Sequence, residues 1–160
     1  MKRKRGQLIG EPFVWILALV VAAFILFFGA KYIMKLSDVA SEAQIADFIQ
    51  DFKKESEKIY YSDVESFKLI PVNLPNKIKR ICFYSRQGQI NKNLISDTDL
   101  KLIQLSKDKN MFFIPLNAYN INLMLTIPNI KANEFLCFEN NKKIKIIAKG
   151  EYVEVAKAYN

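Results

Sequence analysis

The side chains that most often carry chemistry are sparse in this sequence. There is no histidine, which removes the commonest general base and the commonest metal ligand at neutral pH. Two cysteines, Cys82 and Cys137, are too few for a cysteine-rich zinc site. Neither a glycine-rich phosphate loop nor a Gly-x-Ser-x-Gly elbow occurs. Serine with lysine, or two carboxylates, remain as catalytic combinations, and no spacing singles them out. The sequence therefore predicts a protein that is not an enzyme, with no catalytic, cofactor-binding or metal-binding residue. Two groups keep a chemical use: the cysteine pair, and a short polar stretch near the start, Arg5-Gly6-Gln7, followed by the carboxylate of Glu11.

The cysteines sit in similar strings, Ile81-Cys82-Phe83 and Leu136-Cys137-Phe138, each mid-strand between apolar residues. Outside the cytoplasm such a pair is expected to oxidise. The favoured reading is a disulfide that staples a sheet. Two buried free thiols are the alternative, and a metal or redox pair is a remote third.

The amino-terminal stretch takes its meaning from the apolar run after it. Pro12 to Ala30 reads PFVWILALVVAAFILFFGA, nineteen residues without a charge. At about 1.5 Å per residue such a helix crosses most of a hydrocarbon core of about 30 Å. A secretory signal has a shorter apolar region and small residues at its cleavage site, and no Ala-x-Ala stands at the far end here. Lys2, Arg3, Lys4 and Arg5 precede the run, so its basic end is expected to stay cytoplasmic, with the rest of the chain outside. Glu11 is one residue from the run. It must reach the headgroups or find a partner.

Basic residues, Gly6, Gln7, Glu11 four residues on, and a long apolar helix resemble the class III signal peptide of archaeal type IV pilins and pilin-like proteins. The resemblance covers roughly residues 1–35. It implies that a prepilin peptidase-like protease cuts between Gly6 and Gln7. It also implies that the helix stays on the mature protein, as an anchor or in a filament core. Glu11 would then pair with the amino terminus of a neighbouring copy or another pilin-like subunit. Ile9, Pro12 and Trp15 depart from the commoner residues of that pattern.

Composition sets the remaining bounds. Loss of the first six residues takes four of the 24 Lys/Arg and leaves 20 against 16 Asp/Glu. The basic balance is thus largely a topology signal, and no nucleic-acid partner is expected. No glycine or proline interrupts Lys31 to Glu65. Ile33, Leu36, Ala40, Ala43, Ala46, Ile49, Phe52 and Ile59 recur at helical steps with a skip at Ser56. This predicts one helix, a transmembrane half continuing into an amphipathic half. Phe48, Phe52 and Ile59 are expected to cover the protein's own domain. Ile33 to Ala46 remain open to a neighbouring subunit.

Beyond Tyr61 the chain reads as strands: 66–72, 77–84, 111–116, 121–127, 134–139, 142–149 and 151–156, with a short helix after Asp97. Asn73-Leu74-Pro75-Asn76, Asn140-Asn141 and Lys149-Gly150 are turn signals, and the last three strands read as a meander. Proline cannot donate to a ladder, so the Ile-Pro pairs at 70–71, 114–115 and 127–128 belong at strand ends or sheet edges. The widest connection, 89–109, is the natural place for a binding loop.

The expected fold class is α+β, a long N-terminal helix followed by a small antiparallel β domain. Its segments are 1–6, a basic leader; 7–61, the helix; and 62–160, an extracytoplasmic β-rich domain. The expected partner is the lipid bilayer, and the expected location the cell membrane or a cell-surface filament. The expected function is a pilin-like structural or assembly protein. The rival is an uncut single-pass envelope protein whose β domain binds a partner or ligand.

Overall fold

A computed structural model describes residues 10–84, 95–106 and 108–158. The fold is α+β. Helix α1 (Gly10–Tyr60) is followed by β1 (Phe67–Pro71), β2 (Arg80–Phe83), α2 (Asp97–Leu105), β3 (Met111–Ile114), β4 (Met124–Leu125), β5 (Ile130–Lys131), β6 (Leu136–Glu139), β7 (Lys143–Ala148) and β8 (Val153–Lys157). The chain divides into two compact units after Ala40, so the second unit includes the last twenty residues of α1.

In the first unit, the apolar side chains of α1 contact little else. Trp15 is 72% exposed and Leu26 74%. Among the described residues α1 is the one helix long and apolar enough to cross a membrane, and none of its most apolar window is buried within the protein. Ile33, Leu36 and Val39 are exposed as well.

In the second unit the same helix changes character. Ile45, Phe48, Phe52, Ser56 and Ile59 are buried, at steps of three and four residues that keep one face inward. The stripe differs from the expected column, because Ala43 and Ala46 are exposed and Ile49 is only half buried. Ser56 fills the skip in the apolar pattern. Its Oγ donates to the Lys53 carbonyl at 2.9 Å, so the buried hydroxyl is satisfied. The helix ends where Ser62 Oγ donates back to the Lys58 carbonyl at 2.8 Å, supplying a partner to a carbonyl the last turn leaves open.

Two four-stranded sheets close over this stripe. Their orders are β1-β7-β8-β5 and β4-β3-β2-β6. All described pairings are antiparallel except β5 with β8, which is parallel. The expected meander does not form. β7 and β8 make a hairpin, but β6 pairs with β2 in the other sheet. The turn at Asn140-Asn141 carries the chain from one sheet to the other instead of folding a strand back on itself. Burial and the disulfide explain the choice: beside β2, Leu136 and Phe138 enter the main core with Ile81 and Phe83, and Cys137 reaches Cys82. Asn141 does take a positive φ of 65°, and Gly150 at 83° turns the β7–β8 hairpin. The segment 72–79 is likewise a crossing between sheets. The expected strand 121–127 contracts to Met124–Leu125, and β5 has no counterpart among the expected strands.

Each face of the second sheet has its own core. Ile81, Phe83, Met111, Phe113, Leu136 and Phe138 point into the main core with Phe48 and Phe52. Cys82, Phe112, Ile114 and Phe135 point the other way and meet Ile103 of α2. This period of two across fully buried strands is why 111–114 reads as an unbroken apolar run. The N-cap of α2 is Ser96, one residue ahead of the expected aspartates. Its Oγ accepts from the Asp99 N–H at 3.2 Å and donates to the Asp99 carboxylate at 2.9 Å. Most of the expected loop at 89–109 lies outside the described residues or within α2. The Ile-Pro pairs follow expectation: Pro71 ends edge strand β1, Pro115 follows β3, and Pro128 precedes β5.

Candidate functional site

The residues singled out for leader processing are only partly in view. Gly6 and Gln7 lie outside the described residues. Glu11 is the second residue of α1, in its first turn, next to the start of the apolar window.

Cys82 and Cys137 are bonded, with an S–S distance of 2.07 Å. They face one another directly across β2 and β6, so the bond staples neighbours within one sheet. Cys82 is buried and Cys137 half buried. Both sulfurs lie on the face covered by α2, away from the helix-lined core. The bond closes a separation of 55 residues and ties strands that are remote in sequence.

The domain also forms a groove that the motif reading missed. Residues 44–55 of α1 run beside the outer edge of β1. Between them is a cavity of about 450 Å³ lined by Gln44, Asp47, Phe48, Asp51 and Glu55 on the helix and by residues 68–71 and Asn73 opposite. One end is bridged by Gln44 Nε2, which donates to the Asn73 carbonyl at 3.3 Å. The other is bridged by the ion pair of Glu55 with Lys68. Hydrogen bonds from Lys58 and then Lys68 hold the Glu55 carboxyl below its ordinary value of 4.5. Asp47 and Asp51 have no ion-pair partner among the described residues and are exposed. Asp47, Asp51 and Glu55 recur every four residues, so the sequence placed them on one helix face. Nothing in it said that the face borders a sheet edge.

Comparison with family models, with curated proteins and with solved structures finds no match to this chain.

Proposed function

We propose that this chain is a membrane-anchored structural or assembly protein, a type IV pilin-like subunit or minor pilin-like component, and that it acts without catalysis. The observation that carries the proposal is the apolar window of α1, none of which is buried within the protein. A soluble core helix covers such side chains with its own fold. Trp15, Phe24 and Leu26 are left to lipid or to other subunits. The basic tail at Lys2–Arg5 favours a cytoplasmic amino terminus. The Cys82–Cys137 bond supports an outer location for the domain, because disulfides persist outside the reducing cytoplasm.

In this reading a prepilin peptidase-like protease removes residues 1–6 and creates an amine on Gln7. Glu11 of one subunit neutralises that amine on another, where the low dielectric of the membrane makes the pair strong. Trp15 to Phe28 supply the apolar contacts of the anchored or assembled state. Mass spectrometry of membrane extracts tests it: Gln7 is the expected terminal residue. A mature protein that keeps Lys2–Arg5 supports the uncut single-pass envelope protein instead. Glu11→Ala is expected to abolish recovery of assembled protein while membrane insertion is unchanged.

A further inference from the structure

Among the described residues, no strand pairs with the outer edge of β1. Among those residues β1 closes one side of its sheet and pairs only with β7. The Ala148 N–H donates to the Ser66 carbonyl and the Val72 N–H to the Lys142 carbonyl, both at 2.8 Å. In an antiparallel ladder these groups alternate sides. The even-numbered residues from Ser66 to Val72 therefore bond inward, while the peptide groups of Phe67 and Leu69 face the open edge. That edge borders the 450 Å³ groove, whose far wall carries Asp47 and Asp51 one helical turn apart. Phe67 is 59% exposed and Leu69 40%, and Lys145 Nζ lies 4.6 Å from the centre of the Phe67 ring, so the outer face of the strand offers apolar contact beside one lysine.

We propose that this groove binds an extended basic peptide segment of another protein, which adds as a fifth strand beside β1. Backbone hydrogen bonds to Phe67 and Leu69 supply the register. Alternate side chains of the added strand point to opposite faces of the sheet: on the helix side lysine or arginine reaches Asp47 and Asp51, and on the outer face the intervening apolar residues lie against Phe67 and Leu69. The bridges at the groove's ends are an exposed ion pair and a long hydrogen bond, which yield at little cost. A second copy of this chain fits less well. If two β1 strands paired about Leu69, the Phe67 carbonyl would face Pro71, which has no N–H to donate.

The test uses the full-length chain in detergent micelles and a short fluorescent peptide alternating lysine and valine. It is expected to bind and to slow hydrogen exchange at Phe67 and Leu69. Binding should weaken about tenfold or more for Asp47→Asn/Asp51→Asn, for a glutamate–valine peptide, and for the lysine–valine peptide N-methylated throughout its backbone. The thermal midpoint of the double variant is measured as a check that its fold is kept. Failure to bind at about millimolar peptide overturns the proposal, as does equal binding of the N-methylated peptide or protection located elsewhere. Protection of the same amides that rises with protein concentration alone assigns the edge to a second copy and overturns it too. The proposal stands or falls independently of cleavage at Gly6.

Discussion

Asn140 shows how much one polar side chain carries in this domain. Its Oδ1 accepts from the Leu74 N–H at 2.9 Å and its Nδ2 donates to the Leu74 carbonyl at 2.7 Å, joining the two segments that cross between sheets. Asn140→Ala leaves both partly buried backbone groups without that partner and is expected to cost about 2 kcal/mol, read as a lower midpoint in denaturant. Phe52 is fully buried against Phe48 and Phe83, and Phe52→Ala should cost about 3–5 kcal/mol in the same measurement. Glu55 gives the pH dependence. Its carboxyl is depressed in the folded chain, so its contribution is complete above the unfolded value near 4.5 and is lost as pH falls through the folded value. The group is exposed enough that the effect stays below about 1 kcal/mol. Glu55→Gln should therefore destabilise slightly at neutral pH, and its difference from the parent should shrink as pH falls below the unfolded value. Of these three residues, the sequence pointed to Phe52 through its helical spacing. Asn140 read only as a turn residue, because its partner at Leu74 is 66 positions away.

At the scale of elements, α1 owes its second half to the sheets it packs against. Ile45, Phe48, Phe52 and Ile59 are all in the main core with Ile81, Phe83 and Phe113, and each such burial stabilises by about 1.5–3 kcal/mol. The staple across β2 and β6 acts mainly on the unfolded chain. In the chain-entropy model a loop of this length corresponds to about 4 kcal/mol. The double variant Cys82→Ala/Cys137→Ala is expected to lose about 2–5 kcal/mol, and reductant should then no longer lower its denaturation midpoint. Strand positions were legible from period-two alternation and from Asn and Gly at the turns. Sheet membership was not. The segments around 73–76 and 140–141 carry the same turn residues whether they reverse a strand or pass it to another sheet, and the burial of Leu136 and Phe138 beside β2, with the Cys82–Cys137 bond, decides for β6. β5 is two residues long, too short to show any period.

For the whole molecule, the apolar window and the stapled domain make separate demands. Deleting 12–30 is expected to release the protein from membranes on carbonate extraction, because no other helix among the described residues is long and apolar enough to span one. A helix announces itself through neighbours three and four positions apart, and a membrane segment through length and the absence of charge. Both are local quantities, so the sequence alone determined α1, its apolar half and the burial of its end. The alternation in 144–148 and the similar apolar strings around Cys82 and Cys137 were local too, while the bond between those strings, 55 positions apart, was not. Only the tertiary structure decided that β6 leaves the expected meander, that β5 joins in parallel, and that the acidic column at Asp47, Asp51 and Glu55 lies beside an open strand edge. Those outcomes depend on which distant surfaces bury one another, and that competition among contacts leaves no periodic trace in the chain.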